Sequence, residues 1–249
     1  MRKTNLESTR KQFEHEPFPS IDLEAVMVEG KRYYKTPSGK YYPSVTTILS
    51  SGKNDAIDKW RKRVGEKEAN RISRQATSRG TGMHTICENY INNEVFYTKG
   101  RMPSEIHLFK GIRHILDEHV TKVYGLEMAV FSDTLKTAGR LDLFCQFQGM
   151  YTILDFKTSS KDKKEDWIEN YFIQATCYAI MIEEMCSEFR PGMYIPQLAI
   201  VIAVDEGEHP YQLFVKKTAD YREKAKQFFA EYHQNNPVDQ LQILEKLGQ

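Results

Sequence analysis

The spacing of apolar residues along this chain changes near its middle. In the first half it is helical. Residues 55–93 predict two or more helices, with Met83, Ile86, Tyr90 and Ile91 on one face and Gly80 and Gly82 interrupting the pattern. Residues 104–120 predict another amphipathic helix that turns Ile106, Phe109, Ile112, Ile115 and Leu116 inward. Beyond it, residues 126–131, 139–147 and 150–156 read as strands, the last two joined by a tight turn at Gln148-Gly149. Residues 165–186 predict a helix, 198–204 and 211–215 two more strands, and 218–233 a closing helix capped by Thr218 with Asp220 in its first turn. Ahead of all these, Pro37-Ser38-Gly39 separates two Tyr-rich runs in a hairpin or turn unit over 30–49, which Pro43 closes; Ser44 caps a short helix after it. The order is a helical front followed by β-β-β-α-β-β-α, a mixed α/β sheet flanked by helices. Regions 1–122 and 123–249 divide front from core, with no Gly-, Ser- or Pro-rich linker and no internal repeat. Residues 1–20 read as a polar lead-in whose Glu7, Glu14 and Glu16 argue against a matrix-targeting peptide.

Composition narrows the classes. A chain of 249 residues that is 40% hydrophobic and 28% charged can bury a core of its own, so disordered and collagenous chains are excluded. No apolar run reaches the roughly 18–20 residues of a membrane helix. The 35 basic residues nearly balance 34 acidic ones, so net charge carries no information about partners, but its distribution does. Between Lys53 and Gly82 nine basic residues, Arg71, Arg74 and Arg79 among them, face four acids. That is either a solvated helix face or a phosphate-tracking surface. Tyr33, Tyr34, Tyr41, Tyr42 and Trp60 lie nearby, either as core or as rings that stack unpaired bases. Four cysteines without secreted-framework spacing point to a reducing, cytoplasmic setting.

The sharpest chemical signal is Gly139-Arg140-Leu141-Asp142 followed by Asp155-Phe156-Lys157. Folding the two strands about Gln148-Gly149 sets Asp142 opposite Asp155, both on one side of the sheet. Facing carboxylates repel unless a cation lies between them, and hard oxygen donors suit Mg²⁺ or Mn²⁺. Lys157, two residues past Asp155, projects to the same side, where an ammonium can offset negative charge on a phosphate. A surface Asp-Asp-Lys cluster is the competing explanation, but a charge that ends the apolar strand 151–156 is costly unless paired. Gly82-Met83-His84 is expected to open a helix that carries His84 and Glu88 on one face. Glu127 begins the first core strand, and Gln174 and Tyr178 stand four apart on the helix after Lys157.

Taken in order, His84, Glu127, GxxD at 139–142, DxK at 155–157 and QxxxY at 174–178 resemble the PD-(D/E)xK nuclease superfamily in its RecB-like branch, across about residues 79–205. Within that branch, the stretch from Gly139 through Lys161 is similar to an exonuclease family with mitochondrial genome-maintenance and phage members. The segments Tyr42 to Leu49 and Arg79 to His84 are similar to the phage members. The resemblance implies a restriction-endonuclease-like core under a helical N-terminal arch, with residues 53–82 guiding DNA. It implies Asp142, Asp155 and the backbone carbonyl of Phe156 as holders of Mg²⁺ or Mn²⁺, completed by His84. Lys157 would position or activate water, and Glu127 would be an auxiliary acid. Gln174, Tyr178, Thr158 and Ser159 would contact DNA beside the basic Arg71, Arg74 and Arg79, with Glu88 next to them. The implied activity is metal-dependent hydrolysis of DNA from an end, with single strands preferred, by a monomer in a bacterial or phage-infected cytoplasm.

Some RecB-like nucleases hold an iron–sulfur cluster on one early and three late cysteines. Cys87, Cys145, Cys177 and Cys186 lack that late triplet, so no cluster is expected, and Cys145 reads as a small buried residue. His107, His114 and His119 take no catalytic reading, and no metalloprotease, phosphate-loop or hydrolase-triad motif is present. Two alternatives to the exonuclease stand: a structure-specific endonuclease of the same superfamily, and a non-catalytic single-strand-binding recombination adaptor. The intact acids and Lys157 weigh against the adaptor.

Overall fold

Residues 197–204 carry only apolar side chains after Gln197, so a strand there is apolar on both faces and needs cover on both. In the computed structural model, which describes residues 10–52 and 55–248, all eight are buried inside a six-stranded sheet. The strands are β1 (Glu14–His15), β2 (Glu24–Val28), β3 (Lys31–Lys35), β4 (Tyr41–Pro43), β5 (Val120–Ser132), β6 (Thr137–Phe147), β7 (Met150–Ser159), β8 (Gln197–Val204) and β9 (Tyr211–Lys217). The helices are α1 (Val45–Ser50), α2 (Asp55–Val64), α3 (Glu66–Ile91), α4 (Pro103–His119), α5 (Glu169–Met185), α6 (Ala219–Asn235) and α7 (Gln240–Leu247). The main sheet runs β1-β5-β6-β7-β8-β9, and β2-β3-β4 form a second, small sheet. β5, β6 and β7 pair antiparallel, β7 and β8 parallel, and α5 supplies the crossover that a parallel pair requires.

Each face of β8 feeds its own core. Ile200 and Ile202 join Phe144, Ile153, Phe172 and Tyr178 under α5 and α6. Ala199, Val201 and Ala203 join Leu154, Phe156, Ile86, Phe109 and Ile112 under α3 and α4. The front helices therefore share a core with the sheet, and α4 runs into β5 without a linker. The small sheet is tied to the start of β6. Thr137 Oγ1 donates to the Pro43 carbonyl (2.8 Å), Ser44 bridges Ala138, and the Tyr42 hydroxyl donates to Asp133 (2.5 Å). The hairpin over 30–49 and the Ser44 cap, which accepts from Thr47 N–H at 3.0 Å, are as expected.

Other expectations need correction. Residues 10–18 are more than a polar lead-in: β1 pairs with β5, and Phe13 and Phe18 are buried in the two cores. The charges around them mask that anchoring in the sequence; residues 1–9 lie outside the described residues, as does Lys53. β5 begins at Val120 rather than Leu126. The glycines at 80 and 82 do not break α3, which runs unbroken through both, so His84 sits deep in a helix rather than at its start. Gly82 is there because α4 crosses closely: a Cβ on it would overlap the Glu105 carboxylate, at 2.0–2.5 Å. The helix expected over 165–186 starts as a single 3₁₀ turn, Glu165–Trp167, before α5. Thr218 already has helical φ and ψ, its side chain does not cap α6, and its Oγ1 is buried without a hydrogen-bond partner.

Candidate active site

β6 and β7 pair in the register set by the Gln148-Gly149 turn, both of whose residues have positive φ (51° and 81°). The ladder stops at Leu143↔Leu154, one pair short of Asp142 and Asp155. The register is the one the turn predicts, and Asp142 and Asp155 come next in line just past the end of the bonded ladder. Beyond Leu143 the gap is spanned by the Phe156 N–H, which donates to Asp142 Oδ2 at 2.7 Å. On the other flank, Glu127 lies opposite Asp142, between the pairs Leu126↔Leu143 and Met128↔Leu141. Glu127 has φ 47°, a left-handed conformation rare for a non-glycine residue inside a strand. Leu141 and Leu143, two residues apart, consequently belong to opposite cores, so the usual alternation breaks at Asp142. Such local strain is typical of functional positions.

The break gathers three donors. Ligand atoms of His84 on α3, Glu127 on β5 and Asp142 on β6 all lie within 4.8 Å of one another, and His84 Nδ1 is 3.5 Å from Asp142 Oδ1. Asp155 stands beside them on the α5 side. The Lys157 ammonium pairs directly with its Oδ2, which is otherwise buried. Lys157 also lies 5.1 Å above the ring of Tyr171 on α5.

Charge is crowded here. Burial, with Asp142 and Glu88 close by, pushes the Glu127 carboxyl up to about 7. Burial and the charge of Asp142 outweigh Lys157 and raise Asp155 to about 6. Burial alone would raise Asp142 as well, but His84, Lys157 and the Phe156 N–H hold it below the ordinary carboxylate value. Burial opposes protonation of His84 and Lys157, yet the neighbouring carboxylates raise both. Three converging donors, beside buried carboxyls that resist ionisation, fit a centre completed by a divalent cation, and the donor set suits a hard ion.

The other expected site residues are spread around this centre. Glu88 lines the cavity above it with His84, Glu127 and Asp142. Thr158 faces α3, its Oγ1 3.4 Å from where a Gly80 Cβ would stand, and Ser159 donates to the Lys161 carbonyl (2.6 Å). Gln174 reaches the Tyr178 hydroxyl at 3.5 Å. Tyr178 is only 3% exposed and wedges its ring against Gly139, joining the two motifs through the core rather than presenting a ring at the surface. In the basic front, Arg71 pairs with Glu68 and Arg79 with Asp205, while Arg74 is exposed. Cys87, Cys145, Cys177 and Cys186 are all buried as free thiols. Sequence reasoning gave no site role to Arg32 and Arg140, which line the same cavity with Tyr34, or to Tyr171 under Lys157. Arg140 was visible inside GxxD and Tyr34 among the candidate stacking rings; nothing local marked Arg32.

A model of the PD-(D/E)XK nuclease superfamily matches residues 61–243. The chain belongs to this superfamily. It is similar to mitochondrial genome maintenance exonuclease 1 of Mus musculus, at 29% identity over 129 residues (49% of this chain, 38% of the relative). The Homo sapiens protein of the same name is 24% identical over 190 residues, 72% of this chain and 54% of the relative. The chain thus spans at most about half the length of these relatives. Among the described residues of this nuclease-superfamily chain, no helix is long and apolar enough to cross a membrane.

Proposed function

We propose that the protein is a divalent-metal-dependent DNA exonuclease that acts on single-stranded ends as a monomer. The observation that carries this reading is the convergence of His84, Glu127 and Asp142 within 4.8 Å, with Asp155 and Lys157 beside them, in a chain of nuclease ancestry. Similarity to an exonuclease supports attack from an end. Likeness of the segments Tyr42 to Leu49 and Arg79 to His84 to phage exonucleases supports a role in phage or bacterial DNA replication, recombination or degradation.

His84, Asp142 and Asp155 would hold Mg²⁺ or Mn²⁺ with the Phe156 carbonyl, and Glu127 is close enough to His84 and Asp142 to join them. When bound, such an ion supplies Lewis-acid polarisation of a phosphate oxygen and lowers the pKa of water. Lys157, held charged by Asp155 and Asp142, offsets negative charge that builds on the phosphate. Asp142 stays ionised through His84 and the Phe156 N–H, so one carboxylate is ready for a cation at neutral pH. The exposed first half of α3, which carries Arg71 and Arg74, would guide the strand toward the cavity.

The test is digestion of end-labelled linear and circular single-stranded DNA with Mg²⁺, Mn²⁺ or chelator. Metal-dependent shortening of the linear strand alone is expected. Cutting of the circle would make the protein an endonuclease; absence of cleavage with retained binding would make it an adaptor. Lys157→Ala should abolish cleavage and keep DNA binding.

A further inference from the structure

The cavity over the candidate centre has a volume of about 510 Å³, and two guanidinium groups line it that the exonuclease reading leaves without a task. Arg32 reaches it from β3 and Arg140 from β6, while Glu88, Glu127 and Asp142 line the same space. Arginines placed merely to neutralise those acids would pair with them. Among the described residues, neither lies within ion-pair distance of a carboxylate: Arg140 donates only to the Glu127 carbonyl (2.5 Å), and the Arg32 side chain makes no hydrogen bond. Both are exposed at the cavity mouth.

We infer that Arg32 and Arg140 form a cradle for a substrate phosphate adjoining the one that is cut. The inference rests on the nuclease reading and deepens it. A guanidinium offers a planar fork of donors that matches phosphate oxygens, and it stays charged at any working pH. Glu127 and Asp142 bring their donors to the candidate cation site, so the two arginines supply positive charge left over for an anion. Their placement is built in. The Arg32 carbonyl accepts from Ser44 N–H at 2.8 Å and from Thr47 Oγ1 at 3.3 Å, and Ser44 bridges Ala138 two residues before Arg140. The small sheet thereby fixes Arg32 to the same strand that carries Arg140 and Asp142. A phosphate held there would set the register of the chain over the reacting centre, as rigid positioning groups do.

The experiment compares wild type, Arg32→Gln, Arg32→Lys and Lys31→Gln in two assays. One is steady-state cleavage of a linear single-stranded oligonucleotide with Mg²⁺. The other is binding of the same oligonucleotide, by fluorescence anisotropy without divalent metal, across a salt series. Arg32→Gln should weaken binding and raise KM by about tenfold and lower the salt slope by about one. Arg32→Lys should restore the slope but only part of the affinity. Lys31→Gln removes the same charge from the opposite side of β3 and should change neither. Oligonucleotides with and without terminal phosphates separate the two sources of the anion: an equal effect on both assigns an internal diester, an effect on phosphorylated ends alone a terminal monoester. If wild type cleaves and Arg32→Gln matches it in KM and salt slope, or Lys31→Gln shows the same loss, the cradle is refuted and the nuclease reading stands. If wild type neither binds nor cleaves, both fall together.

Discussion

Gly139 opens the GxxD motif, and its reason lies in the core rather than in the chemistry. A Cβ at this position would stand 2.8 Å from Cε1 and 3.2 Å from the hydroxyl of Tyr178. Ordinary contact begins near 3.4 Å, so the ring would have to retreat by about half an ångström into a packed interior. Gly139 does not have positive φ, so alanine is conformationally allowed and would by itself favour the strand by roughly 0.5–1 kcal/mol. Overpacking a core costs roughly 1–3 kcal/mol. The second effect wins, and Gly139→Ala should destabilise by about 1–2 kcal/mol. Urea unfolding followed by circular dichroism measures this, and a cycle with Tyr178→Leu isolates the cause. With the ring gone the alanine should cost nothing or stabilise slightly, giving a coupling of about 1–2 kcal/mol, within the usual range for touching residues. An equal cost in both backgrounds would refute the argument. Tyr178 feels the charges of Asp155 and Asp142, so a displaced ring should also depress activity in the single variant.

Three further outcomes follow from the geometry. Gly82→Ala should destabilise by about 1 kcal/mol or more, because Glu105 must abandon its 2.9 Å bond to the Met102 N–H; Gly80→Ala, 3.4 Å from Thr158 Oγ1, should be neutral or stabilise by up to about 1 kcal/mol in thermal melts. Mg²⁺ or Mn²⁺ at a hundred times its dissociation constant should stabilise the wild type by about 2.7 kcal/mol, and an equal shift in Asp142→Asn would place the ion elsewhere. Without metal, Glu127 has a carboxyl raised from 4.5 to about 7, so its contribution to stability is complete below pH 4.5 and is lost as pH climbs through 7. The melting temperature of wild type relative to Glu127→Gln should fall across that window in chelator; a pH-independent difference would contradict the assigned environment.

Much of the core was legible because its signals are local. Apolar runs on either side of the Gln148-Gly149 turn mark β6 and β7, that turn sets their register, and unbroken apolarity marks β8 as buried on both faces. Both acids, Lys157 and His84 stand in recognisable motifs for the same reason. Gly80 and Gly82 misled because glycine signals a helix break by propensity alone, whereas here close packing of α4 on α3 requires Gly82. Phe13 and Phe18 were hidden among charges, and only the cores that receive them give them meaning.

By itself the sequence determined the order of elements, the strand register at the hairpin and the identities of the acids and the lysine, since each depends on neighbours along the chain. Tertiary structure alone decided that the β6–β7 ladder ends before Asp142, that Glu127 takes a left-handed backbone and meets His84, and that Arg32 enters the same cavity. Those features depend on how β5, α3 and the small sheet press on one another. The forces that set them act between residues far apart in the chain, and no local pattern of residue types encodes them.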